Sequence, residues 1–364
     1  MRIHYSLESL KLENPANTSE QAPLLKNVSF AHAAPAFPAP QRLRRADPDT
    51  LHSLNGTSMG THWRVRVGNP QFLPLEAIRS AVEEVLADVV RHMSHWAADS
   101  TLTHFNRAAA DTWHRLPAAL DTVLHAGLHW ARHSDGAFDP TLGALVAAWG
   151  FGPHAPTHPA DWQPASPQAI AQAQACSGWQ RLHHHPERGW RQSGGLHLDL
   201  SGIAKGHAVD AVLLRLHALG LPNALVEIGG ELRGSGQRPD SQPWRVAIAP
   251  ISGEAPDAPP QAIALRDCAI ATSGDLYHRH QWQGRSYSHT LDPRTGAPID
   301  NALSSVTVLH AECLHADALA TLLTVLGPEA GWAFAEEHGI AARLASPTAT
   351  RCSRAWDAHL SAPH

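Results

Sequence analysis

Extended runs outnumber clear strand-helix-strand units, and that imbalance constrains what this 364-residue chain can fold into more than any other feature. His62 to Val67 alternates polar and apolar side chains, the period of two expected of a half-buried strand. Further strands are predicted at 197–200, 224–228, 244–249, 262–266 and 286–291, with a loop at 250–261 between two of them. Helices are predicted over 74–92, where Leu75, Ile78, Val82, Val85, Leu86 and Val89 share one face, and over 117–133, 208–219, 315–326 and 329–338. A short helix at 170–175 follows a proline-rich stretch, 153–167, that reads as a surface loop. A doubly wound sheet needs a helix between successive parallel strands, so the pattern favours an α+β fold.

Composition narrows the classes. Residues 1–50 are rich in Ala, Pro, Asn and Ser and read as an extended or disordered tail, residues 51–350 as the folded domain, and 351–364 as a C-terminal tail. A net charge of −5 with no long basic run argues against nucleic acid as a partner. No apolar run approaches the ~18 residues that a membrane span requires. Cys176, Cys268, Cys313 and Cys352 form no Cys-x-x-Cys pair, so neither a zinc site nor a disulfide framework is indicated. Among the 27 histidines, the run His183-His184-His185 precedes Pro186 and Gly189 in a turn-rich stretch without a helical His-x-x-x-His pattern, and reads as surface rather than as a metal site. Glu8, Lys11 and Glu13 stand where a signal peptide would place apolar residues. The expected location is cytoplasmic, with a periplasmic or lipoprotein form as the alternative if the start codon is misassigned.

Three segments carry candidate chemistry. Lys205 is the only lysine after residue 26, in a chain that otherwise writes its cations as arginine, and it lies in Asp199-Leu-Ser-Gly-Ile-Ala-Lys-Gly-His-Ala-Val-Asp210. A compact ammonium at a strand-to-helix turn suits phosphate oxygens, yet the spacing is not that of a Walker A loop. The second segment is Thr272-Ser273-Gly274-Asp275 together with Ser288-His289-Thr290-Leu291-Asp292-Pro293-Arg294-Thr295-Gly296. There His289 either accepts a proton near neutral pH or hydrogen-bonds the Asp-Pro turn structurally. In the third, Asp317 and Thr321 lie four apart on one helical face and offer hard oxygen ligands for Mg²⁺, unless Asp317 merely caps the helix.

With Ser58-Met59-Gly60-Thr61 and Asp135-Gly136-Ala137-Phe138-Asp139-Pro140-Thr141, these segments resemble in order and wording the ApbE family of FAD:protein FMN transferases over about residues 54–345. The resemblance implies two subdomains with FAD in the cleft between them, and Mg²⁺ held by Asp317, Thr321 and the Gly202 carbonyl. It implies flavin contacts at Met59, Trp96, Ala137, Phe138, Asp139, Asp199 and Lys205, a nucleotide pocket shaped by Ser273 and Asp275, and His289 as the base. The implied reaction joins FMN from FAD to a threonine hydroxyl of an acceptor flavoprotein and releases AMP. An FAD pyrophosphatase giving FMN and AMP, or a non-catalytic flavin binder, are the alternatives, and a homo-oligomer is left open. Glu231 after Gly229-Gly230 departs from the Asn or Asp more usual in the family.

Overall fold

The computed structural model describes residues 50–156, 158–248, 261–274 and 279–361. The expected N-terminal tail, apart from Thr50, and most of the loop 250–261 lie outside the described residues. Eight strands build the main sheet: β1 (Leu51–Ser58), β2 (Thr61–Gly68), β3 (Ala224–Ile228), β4 (Glu231–Ser235), β5 (Cys268–Gly274), β6 (Ser305–His310), β7 (Ala341–Ala345) and β8 (Thr350–Cys352). Their order across the sheet is their order along the chain. Every neighbouring pair is antiparallel. An antiparallel neighbour can be reached through a turn, whereas a parallel one needs a crossover, so strands can follow one another with no helix between them, as the sequence requires. The fold is α+β.

The helices enter as excursions from this meander: α1 (Leu75–Met93), α2 (Thr101–Arg107), α3 (Ala118–His133), α4 (Gly143–Ala148), α5 (Pro167–Cys176) and α6 (Ala204–Ala218) between β2 and β3, α7 (Cys313–Glu337) between β6 and β7, and α8 (Arg354–Ser361) after β8. Alternation on β2 sends Trp63, Val65 and Val67 into a core shared with Ile78, Val82 and Leu86 of α1 and with the apolar faces of α6 and α7. The opposite face carries a second cluster in which Leu225, Ile270 and Leu309 meet Trp244, Ile263 and Trp356. Contacts group Ala46–His364 as a single unit, within which the two expected subdomains do not separate.

Two local expectations are corrected, the strand at 197–200 and the C-terminal tail. Residues 197–200 form no strand: only His197 makes a bridge, to Leu142. The reason is that Asn106 takes the place of a strand neighbour, accepting from the Leu198 amide at 2.8 Å and donating to its carbonyl at 3.0 Å. The two predicted C-terminal helices are both present within α7, separated by a break where Gly327 (φ 80°, ψ −177°) is non-helical and precedes Pro328. The proline-rich stretch is a surface loop as expected, pinned by Trp162, which is buried and donates to the Trp149 carbonyl at 2.8 Å. Residues 350–361 are structured, adding β8 to the sheet edge and seating Trp356 of α8 in the second core. Among the described helices α7 alone is long and apolar enough to cross a membrane, and it packs on α6, β5 and β6.

Candidate functional site

The site is set by how closely α6 and α7 approach. A Cβ on Gly206 would fall 2.2 Å from the Cys313 carbonyl oxygen and 2.8 Å from the Cβ of Asp317, so only glycine permits this contact. The Gly206 amide donates to Asp317 Oδ2 at 2.9 Å. Asp317 is not the cap of α7. Asp210, from α6, accepts from the Cys313 and Leu314 amides at 3.0 and 2.8 Å and satisfies two of that helix's free N–H groups, which leaves Asp317 facing the site.

Lys205, in the first turn of α6, reaches Glu231 Oε1 at 2.5 Å and stands 3.9 Å from Asp317 Oδ1. Burial alone would lower the lysine pKa, but Asp317 and then Glu231 outweigh it and hold the group above its usual range. Burial pushes the carboxyl of Glu231 up to about 7 against the pull of Lys205, and raises that of Asp317 against Lys205 and the Gly206 amide. Glu231 is only 3% exposed, and its Oε2 has no hydrogen-bond partner among the described residues. Sequence reasoning flagged Glu231 as a departure but missed it as the partner of Lys205. A lone lysine in a folded body, followed by a Gly-Gly-Glu at a strand turn, was the available signal.

Thr321 lies one turn beyond Asp317 on α7, and its Oγ1 would be 3.0 Å from a Cβ on Gly202. Any side chain at Gly202 would crowd this recess. Two buried carboxylates share a single ammonium here, one carboxylate oxygen is unpaired, and a hydroxyl and the backbone of the Gly202 turn are adjacent. That oxygen-rich, cation-deficient set is one that a hard divalent ion such as Mg²⁺ could occupy, and Asp317, Thr321 and the Gly202 carbonyl are the candidates to hold it.

Around this corner opens a cavity of about 1330 Å³, bordered by every expected site residue except Asp275, which lies outside the described residues. Met59 occupies the two-residue turn between β1 and β2 with φ 51°, followed by Gly60 at φ 72°, the left-handed pair of a type I′ hairpin turn. Methionine is held there against its preference, and it reaches the cavity wall. The loop after α3 delivers Ala137, Phe138 and Asp139. Asp139 accepts from the Thr141 amide and hydroxyl at 2.8 and 2.7 Å and from the Trp179 amide at 2.9 Å. Burial raises its pKa and these three bonds oppose the rise. Asp199 accepts from the Ser201 amide at 2.8 Å, and its other oxygen is 3.9 Å from His95 Nδ1. The next residue, Trp96, is 65% exposed at the cavity wall, an unusual position for a large ring.

Ser273 comes from the end of β5, and His289 follows the strand Arg285–Ser288. The Asp292 carboxylate is gripped by its own turn, accepting from Arg294 Nε and Nη2 at 2.9 Å each and from the Arg294 amide at 3.0 Å. The turn is anchored by Trp149 Nε1, which donates to the Gly296 carbonyl at 2.8 Å. His289 borders the cavity on a loop that the Asp292, Arg294 and Trp149 contacts help to hold.

The ApbE family model matches residues 59–344. The FAD:protein FMN transferase of Vibrio cholerae serotype O1 is 36% identical over 288 residues, 79% of this chain and 85% of that protein. That of Klebsiella pneumoniae is 35% identical over 300 residues, 80% of this chain and 83% of its own length. Among solved structures, the flavinyl transferase ApbE of Pseudomonas stutzeri in its apo form superposes with a TM-score of 0.79 at 36% identity, covering 87% of this chain and 98% of that one.

Proposed function

The chain belongs to the ApbE family, and from that membership we propose that it is a Mg²⁺-dependent FAD:protein FMN transferase that modifies a threonine of an acceptor flavoprotein. The transferase activity itself follows from relatives 30–36% identical over most of the chain. The observation that carries the finer reading is the meeting of Lys205, Glu231, Asp317 and Thr321 at one corner of the cavity that His289 also borders.

FAD is the substrate, and the cavity residues hold it. Phe138, Met59 and Trp96 offer apolar and aromatic surface for the isoalloxazine ring, while Asp139 and Asp199 are fixed by backbone amides as rigid acceptors. Lys205 directs positive charge at the pyrophosphate from the start of α6, where the helix dipole adds to it. Bound Mg²⁺ supplies charge neutralisation on the pyrophosphate oxygens. His289 takes the hydroxyl proton of the acceptor threonine on an imidazole nitrogen. The threonine oxygen bonds to the phosphorus on the riboflavin side, and the bond from that phosphorus to the bridging oxygen breaks. AMP departs with the electron pair, and FMN stays on the acceptor as a phosphoester. Positioning and charge do most of the work in such transfers, and a placed base contributes about 10²–10⁴-fold.

The test is to incubate the protein with FAD, Mg²⁺ and a threonine-bearing acceptor, then look for a fluorescent flavin band on a denaturing gel together with AMP. Asp317→Ala should abolish both products. FMN and AMP without a flavin band would make the protein a hydrolase, and intact FAD after hours would make it a binder. Normal Mg²⁺-dependent turnover by Asp317→Ala would overturn the metal assignment.

A further inference from the structure

In the N-terminal half of α3, whose C-terminal end precedes the Ala137–Asp139 loop, three side chains that the transferase reading leaves unused converge. Asp121 and His125 are one turn apart on α3, and His184 comes from the middle of the histidine run, in the short strand His183–His185. Their nitrogen and carboxylate oxygen atoms all lie within 4.8 Å of one another. His125 Nε2 is 3.6 Å from Asp121 Oδ2, and His184 Nε2 is 3.8 Å from Asp121 Oδ1.

These separations are informative. A hydrogen-bonded imidazole and carboxylate approach to about 2.7–3.2 Å, so neither contact is such a bond. Donors about 2.0–2.1 Å from one tetrahedral ion are instead held roughly 3.4 Å apart, and wider angles lengthen that spacing. The carboxylate and the two imidazoles are spaced as ligands around an ion would be, while the rings of His125 and His184 also meet edge to face with centroids 4.6 Å apart.

Trp190 organises all three. It is fully buried and is the cross-strand partner of His184. Its Nε1 donates to Asp121 Oδ1 at 2.7 Å, and its ring lies 4.9 Å from that of His125 and 4.8 Å from that of His184. A carboxylate with one oxygen bound by an indole N–H has its orientation fixed and its other oxygen directed, the outer support that metal ligands usually have.

We propose that Asp121, His125 and His184 form a surface site for a divalent transition-metal ion, with Zn²⁺ the natural occupant and a fourth position open to solvent or an exogenous ligand. Two imidazoles and one carboxylate select such an ion over Mg²⁺, which prefers an all-oxygen shell. The ion ties α3 to the small sheet of Thr112–His114, Gly189–Gln192 and His183–His185. The site is separate from the oxygen corner at Asp317 and does not rest on the transferase reading.

Protein without an affinity tag, stripped with chelator and held in excess Mg²⁺, is titrated calorimetrically with Zn²⁺. Wild type should bind one ion more than His125→Ala or His184→Ala, or bind it more tightly by about 100-fold or more, since even outer partners of metal ligands carry roughly 10–100-fold. Asp121→Asn should weaken the same ion by at least about tenfold. Co²⁺ in place of Zn²⁺ should give wild type visible bands that the variants lack. Both histidines are on the surface, so the variants should keep the wild-type melting temperature without Zn²⁺, lose its rise with Zn²⁺, and retain flavin transfer. Equal Zn²⁺ binding by wild type and both histidine variants overturns the site. Loss in the histidine variants but not in Asp121→Asn overturns the three-ligand assignment.

Discussion

Lys205 stands 2.5 Å from Glu231 and 3.9 Å from Asp317, and if Mg²⁺ binds at this corner as proposed, this asymmetry decides which carboxylate stays available to it. Glu231 draws the ammonium to itself and so keeps it from fully pairing with Asp317. Glu231→Gln preserves shape but removes that pull, and Lys205 should then turn towards Asp317 and compete with Mg²⁺. The Mg²⁺ concentration for half-maximal flavin transfer should rise about tenfold or more, because a hydrogen bond to a charged group carries about 1.5–3 kcal/mol. An unchanged Mg²⁺ requirement would remove Glu231 from this role. Lys205→Arg tests the same corner by shape. A planar guanidinium cannot take the ammonium's place between Glu231 and the buried Asp317 without displacing one of them. kcat/KM for FAD should fall roughly 10- to 100-fold although the charge is kept, the equivalent of one lost charged contact. Activity equal to wild type would show that charge alone matters at this position.

At the scale of elements, the contact of α6 with α7 fixes both the core and the site. In an open helix, replacing glycine with alanine stabilises by about 1 kcal/mol. At position 206 the sign should reverse, because the new methyl would lie 2.2 Å from the Cys313 carbonyl oxygen, a backbone atom that cannot rotate aside. Forcing the helices apart should cost about 1–3 kcal/mol in excess of the propensity gain. Gly206→Ala should therefore lower the urea midpoint and, by moving the amide that donates to Asp317, impair transfer as well. A raised midpoint would mean that the helices separate freely. The same packing explains why Asp317 looked like a helix cap in the sequence: the true cap of α7, Asp210, lies about a hundred residues earlier, on α6. No local pattern links the two.

For the molecule as a whole, what could be read from the sequence was what local periodicity encodes. α1, α3 and β3 fall where spacing puts them, and the shortage of strand-helix-strand units correctly pointed away from parallel crossovers. β7 passed unread because Ala341–Ala345 is rich in alanine and has no β-branched residue, so pairing across the sheet makes it a strand. α8 went unread for a related reason, since Trp356 has a place only once β5 and β6 have built the second core. The cavity is non-local in the same way, being bordered by segments from Met59 to Val325. A ligand that touches all of them binds the folded chain and not the unfolded one, so it should stabilise the whole by mass action. At 100 times its dissociation constant FAD should add about 2.7 kcal/mol. At about 2–4 °C per kcal/mol for a chain somewhat smaller than this one, the melting temperature should rise by several degrees. If the Asp317 and Thr321 corner joins metal to pyrophosphate, FAD and Mg²⁺ together should raise it by more than the sum of their separate effects. In Asp317→Ala that excess should vanish while a smaller FAD shift survives through the ring contacts. Identical shifts in wild type and Asp317→Ala would place the pyrophosphate elsewhere in the cavity, and with it the transfer chemistry.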